Sequence, residues 1–267
     1  MITLLRRMRE KYIGDGHVRK YLVYGVGEIL LVVIGILLAL QLDEWKTTNQ
    51  NRSIAQEYIQ LLILDLEADV NMLEDLAQQS RDKHEDSQNL MRLYEKEENA
   101  FEDSLSILVA IQAIGRSNSP SFRNNTYNDL VSTGNIQLFK DREMIDGLMT
   151  YYTTDFSDWL DEYIHRLWRE YLPIAIDLLP SKFLEDIVLN DSEEVPKIDP
   201  KEYIKNYDLE MAATVIEAFR NNPEMDFQLK NVSRTHLLHL FFLDQYITRA
   251  QEAIELLNQK LDSPLEG

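Results

Sequence analysis

The residues able to do chemistry are few and widely spaced. His236 and His239 stand three apart in His-Leu-Leu-His, a spacing that sets two imidazoles on one helix face, as metal sites use. The His-Glu-x-x-His arrangement of zinc hydrolases is absent, so the pair is a weak metal candidate, and the bland expectation is the edge or solvent face of a core. Asp65 and Asp69 lie one helical turn apart, and Glu162 and His165 form a single Glu-x-x-His. A di-metal helical bundle needs that pattern twice, and the chain has it once, so a solvated acidic face is the simpler reading.

Tyr152, Trp159, Tyr163 and Trp168 belong to an aromatic run that could line a pocket or an interface. At three- and four-residue spacing, aromatics equally form ordinary core. Serine nucleophile motifs and nucleotide-binding glycine loops are missing. With no cysteine there is no thiolate chemistry and no disulfide. No cofactor and no catalytic residue is indicated, so an enzymatic reading has no constellation to rest on.

Glu28 is chemically conspicuous for another reason. It sits inside YLVYGVGEILLVVIGILLALQLDEW, residues 21–45. From Tyr21 to Leu42 this apolar run is 22 residues, roughly 33 Å as a helix against a hydrocarbon core of about 30 Å. Tyr21, Tyr24 and Trp45 flank it as interfacial aromatics do, and no small-x-small cleavage site follows. A carboxylate at a bilayer centre costs about 2.5–3.5 kcal/mol on insertion scales. Glu28 lies shallower, about 10 Å in from Tyr21, and either snorkels to the interface or pairs with a polar group on another membrane helix. Gly35 and Ala39 form a small-xxx-small pair that lets a second helix approach closely. The expected partners are therefore the lipid bilayer and a second copy or another membrane protein.

Charge supports a membrane layout. Of 267 residues, 46 are acidic and 27 basic, for a net charge of −19. Residues 1–20 carry +4 and the remainder −23. The basic start predicts a cytoplasmic N-terminus and places the acidic body across the bacterial inner membrane, in the periplasm. The acidity excludes general nucleic-acid binding, which needs a basic footprint.

Residues 1–45 resemble the opening of an uncharacterised family of single-pass bacterial membrane proteins common in the Bacteroidota. The residues that carry the likeness are Lys20, Tyr21, Tyr24, Gly27, Glu28, Ile29, Leu31 to Ile36, Ala39, Leu40 and Trp45. Residues 58–69 and 126–152 look similar more loosely. The resemblance implies a single-span layout and transfers no activity.

These residues must be positioned by helices. Beyond the span, a polar hinge over residues 43–53 leads to Ile54, Tyr58, Leu61, Leu62, Leu66, Leu73 and Leu76, one apolar stripe of a helix that runs towards Glu98 and could be continuous with the span. A second helix is expected from Phe101 to Gly115, then a loop over 118–125. Thr126 with Asp129 reads as a capping box before a short helix that Gly134 stops. Asp141 caps an aromatic helix that Pro173 kinks or ends. A loop follows over 190–200, and Asp199-Pro200 and Asn222-Pro223 each open a helix. The last helix carries Leu229, Val232, Leu237, Leu240, Phe241, Tyr246 and Leu257.

The expected fold is all-α: a basic segment (1–20), a transmembrane helix (21–42), the hinge, an acidic bundle of five to seven helices (54–262) and a tail (263–267). The expected function is a membrane-anchored interaction or scaffold protein. A tethered ligand sensor is the alternative, and a metal-dependent enzyme is a weaker one.

Overall fold

Between Gly35 and Gly115 the chain has neither glycine nor proline, so nothing breaks a helix once it has formed. In the computed structural model helix α1 accordingly runs without interruption from His17 to Tyr94. The structure describes the backbone of residues 17–98, 100–153, 157–185 and 209–262, and the side chains of 25–98, 100–153, 162–185 and 210–261. The expected loop at 190–200, the Asp199-Pro200 helix start, the basic residues before His17 and the tail lie outside the described residues. Every element in the described residues is helical. The polar stretch 43–53, expected as a hinge, is helical throughout. Its threonines and asparagines are poor helix formers, but only by tenths of a kcal/mol each.

Contacts divide the chain into two units, residues 1–57 with 265–267, and residues 58–264. The described part of the first is helix alone. From Val26 to Trp45 its large apolar side chains are exposed, with 47–74% of their surface uncovered. Gly25, Gly27 and Gly35 have open space where a Cβ would stand. Among the described residues this is the one helix long and apolar enough to cross a membrane.

The second unit is a helical bundle. After α1 come α2 (Ser104–Ala113), α3 (Asn125–Ser132), a 3-10 turn (Asn135–Leu138), α4 (Arg142–Thr153) and α5 (Ser157–Arg166). A π-helical turn (Leu167–Tyr171), α6 (Leu172–Leu178), α7 (Leu209–Asn221) and α8 (Met225–Asp262) complete the described elements. The aromatic stretch changes its helical form before Pro173, where the sequence predicts a kink or an end. Pro173 lacks an N–H for the ladder, and the preceding turn widens so that the Leu172 N–H reaches the Leu167 carbonyl.

Helix ends follow local chemistry. Asp103 caps α2 through the amides of Leu105 and Ser106. Asp141 caps α4 through the Met144 amide and meets Lys260 of α8 at 2.6 Å. Gly134 stops α3 in the left-handed region at φ +74°. At the end of α1, Lys96 takes φ +62° while the Arg220 Nε–H donates to the Leu93 carbonyl.

One core cluster joins Leu90 and Leu93 of α1 to Leu105, Leu108 and Ile111 of α2, Tyr171, and Val215 and Phe219 of α7. The Tyr171 hydroxyl donates to the Ile111 carbonyl at 2.7 Å, so this buried ring is also satisfied. Two expected core positions of α8 are not core: Leu237 and Phe241 are exposed by 55% and 58%. The α8 stripe instead runs through Leu229, Val232, Leu243, Tyr246, Ala250 and Leu257. Leu61 of α1 is likewise exposed, beside the buried Leu62.

Candidate functional site: a carboxylate–tyrosine lattice

The buried stripe of α1 reads Ile59, Leu62, Leu66, Leu73 and Leu76 at helical spacing. Asp69 falls in the middle of it and is 1% exposed. A buried carboxylate is tolerated only when hydrogen-bonded. Here Oδ1 accepts from the Arg123 backbone N–H at 3.0 Å, and Oδ2 accepts from the Tyr151 hydroxyl at 2.8 Å. Burial raises the Asp69 pKa above the ordinary carboxylate range, and the two donors pull against that rise.

The same face of α1 carries two further anchors. One turn before Asp69, Asp65 accepts from the Thr126 hydroxyl at 2.5 Å. Two turns earlier, the Tyr58 hydroxyl donates to Asp129 at 2.6 Å and accepts from the Asn135 amide at 3.1 Å. Thr126 and Asp129 thus do not form the expected capping box. The N-cap of α3 is Asn124, with no side-chain cap bond, and the two side chains tie α3 sideways to α1.

Aromatic rings close over the carboxylates. Tyr127 and Tyr152 stack at 4.4 Å and 13°, and Tyr151 meets Tyr152 edge-on at 4.9 Å. Phe122 packs on Tyr246 of α8 at 4.8 Å and edge-on against Tyr151. Burial lifts the Tyr151 and Tyr152 phenols well above their usual range, with the Asp69 charge adding to this, and burial also raises the Tyr127 phenol. All three are neutral at physiological pH, and Tyr151 donates to Asp69. The Tyr152 hydroxyl is buried with no hydrogen-bond partner among the described residues.

The residues singled out in the sequence are not gathered in one place. Tyr152 enters the lattice. Tyr163 is half-buried beside Arg166, whose guanidinium lies 5.8 Å from its ring. Trp168 is exposed, with His165 at 6.3 Å. The Trp159 side chain lies outside the described residues. Glu162 is exposed and pairs with Arg166 and Arg169, while Asp65 and Asp69 take neutral donors.

His236 and His239 are not at an edge but fully enclosed, 0% and 2% exposed. His236 Nε2 lies 2.7 Å from the Ile114 carbonyl, and His239 Nδ1 lies 2.8 Å from Ser80 Oγ and 3.2 Å from Ser117 Oγ. Among the described residues no three His, Asp or Glu side chains converge as they would on a metal ion. An open groove between α6 and the α7–α8 turn, lined by Pro173, Ile174, Asn221 and Glu224, shares no residue with the lattice.

Sequence reasoning missed Tyr58, Asn135, Arg123 and Tyr151 as members of one site. The available signal was the register of Tyr58, Asp65 and Asp69, which places three polar groups on the buried face of α1.

These elements define an all-helical protein that pairs a potential membrane helix with a bundle braced by a carboxylate–tyrosine lattice. Over residues 28–153 the chain matches the model of a family of unknown function (DUF6090), in keeping with the resemblance to an uncharacterised family noted in the sequence. The matched region takes in the apolar helix from Glu28 on and the whole lattice except Tyr246. It leaves out His236 and His239. No curated protein and no solved structure matches the chain.

Proposed function

We propose that this is a membrane-anchored helical interaction protein. Residues 21–42 cross the bacterial inner membrane, the basic start faces the cytoplasm, and the acidic bundle works in the periplasm as a docking or scaffold domain. The observation that carries this reading is the contrast in burial along α1. Every large apolar side chain from Ile29 to Leu42 is exposed, whereas the helix from Ile59 on buries its apolar stripe. A bilayer provides the cover that so long an apolar surface around the full circumference of a helix needs.

Glu28, Gly35 and Ala39 fall on one face of that helix at spacings of seven and four, with an open approach at Gly35. On that face the span pairs with a second copy of itself, which gives Glu28 a polar neighbour inside the bilayer.

The test is disulfide cross-linking in membranes, which the cysteine-free chain makes clean. Val32→Cys lies on the Glu28–Gly35 face and is expected to cross-link to a second copy. Leu37→Cys lies on the opposite face and is not. Glu28→Gln or Gly35→Leu should weaken the Val32→Cys product severalfold. Equal cross-linking at both positions, or none with a monomeric chain in mild detergent, overturns the pairing.

A further inference from the structure

A second polar interruption marks the buried stripe of α1, at Ser80 and Ser87. The face of α8 opposite it turns polar at the same level, through Ser233, Thr235, His236 and His239, all buried. Hydrogen bonds link the two helices here. Ser80 reaches His239, and His84 Nδ1 lies 3.0 Å from the Ser233 carbonyl.

The proton inventory of this seam is constrained. A carbonyl oxygen only accepts, so His236 Nε2 carries the hydrogen that meets Ile114. The neutral ring then holds a lone pair at Nδ1, which is buried without a partner among the described residues. His239 uses Nδ1 towards the hydroxyls of Ser80 and Ser117, and its Nε2 is buried without a partner. A second proton on either ring creates an imidazolium in the core and leaves an N–H with no acceptor. Charged and titratable neighbours oppose it too. Lys83 of α1 acts on both rings, and His84 of α1 and His239 itself act on His236. From α2 and the segment after it the rings meet the Ile114 carbonyl, which favours a charged His236 but is outweighed by burial, and the Ser117 hydroxyl.

We propose that His236 and His239 form an acid-sensitive latch whose protonation releases Ile114 and Ser117, and with them the loop of residues 116–124. That loop supplies the Arg123 amide to Asp69 and the Phe122 ring to Tyr151 and Tyr246. Acidification therefore loosens the carboxylate–tyrosine lattice from its far end. The latch is a property of the bundle, and it stands or falls separately from the membrane placement.

Hydrogen exchange of residues 116–124 tests it, on the full-length chain in detergent at pH 7 and pH 5 with intrinsic rates scaled out. Both rings are held down to about 4 by burial. Each ring that is freed to a pKa of about 6.5 on opening raises the opening constant about 20-fold over that interval, and the two together about 500-fold. The wild type is expected to lose loop protection on this scale. His236→Gln with His239→Asn keeps a donor at the first position and a group that can donate or accept at the second, and does not titrate. Its loop should stay protected at pH 5. Unchanged protection of the wild-type loop at pH 5 overturns the proposal, as does parallel loss in the double variant. Should that variant fail to fold, ring NMR of the wild type decides. Rings that titrate near 6.5 while the loop amide signals stay in place contradict the latch, and loop signals that move with ring protonation support it.

Discussion

Asp69 and Tyr151 are 82 residues apart in sequence and joined by a 2.8 Å hydrogen bond in the core. The bond fastens α4 to the middle of α1. It also settles the state of both groups, because the phenol is a neutral donor and the carboxylate an acceptor with its other oxygen on the Arg123 amide. Tyr151→Phe removes one donor and leaves Asp69 half-satisfied, with an expected cost of about 1–3 kcal/mol. Asp69→Asn turns one acceptor into a donor and costs a similar amount. Since both single changes break one bond, the double variant should be less destabilised than their sum, by ~1 kcal/mol or more. Denaturant melts of the four proteins check this, and simple additivity contradicts the coupling.

Acid stability carries its own signature. His236 and His239 titrate near 4 when folded and near 6.5 when unfolded, so between these values the unfolded chain binds more protons. Stability from the uncharged pair is fully present above about pH 6.5. It falls as pH drops towards 4, by at most ~1.4 kcal/mol per pH unit for each ring, and levels off below. Asp69 works in the opposite sense over its own window: its raised pKa makes the folded state take up a proton earlier than the unfolded chain as pH falls, which favours the folded state. Thermal melts from pH 7.5 to 4 should therefore show a steep fall in Tm for the wild type and a shallower one for the His236→Gln, His239→Asn variant. A coincident pair of curves excludes the histidines as the cause.

Gly115 shows where the bundle has no room. A Cβ there would stand 2.7 Å from Cδ1 of the buried Tyr171 ring, itself held by the Ile111 carbonyl. Gly115→Ala is expected to cost about 1–3 kcal/mol through overpacking. Gly134→Ala has open space and meets only the left-handed backbone, at about 1 kcal/mol. Chemical denaturation of the two variants should rank them in that order. An equal or reversed ranking would mean that the Tyr171 ring yields.

Local signals were legible in the sequence because they act within a few residues. The apolar run, the stripe of α1, the Asp141 cap and the Gly134 stop all belong to this kind. Signals with two local uses misled: Thr126 and Asp129 have capping-box spacing, but their partners Asp65 and Tyr58 stand some 61 and 71 residues away. His236 and His239 failed for the same reason. A histidine near apolar residues reads as an edge until Ser80, 159 residues earlier, is seen to face it. Leu237 and Phe241 fit the helical period of α8, yet it is Leu243 and Tyr246 that meet the other helices. Periodicity finds a stripe but does not choose among adjacent ones.

The central claim is that α1 crosses the membrane and separates a basic start from an acidic bundle. Cysteine labelling tests it most directly, since the chain has no cysteine of its own. Thr3→Cys and Ser121→Cys are expressed singly in bacteria with a permeabilised outer membrane and treated with a membrane-impermeant maleimide. The account predicts labelling at Ser121→Cys in intact cells and at Thr3→Cys only after lysis. Labelling at Thr3→Cys alone, or at neither position before lysis, would contradict it.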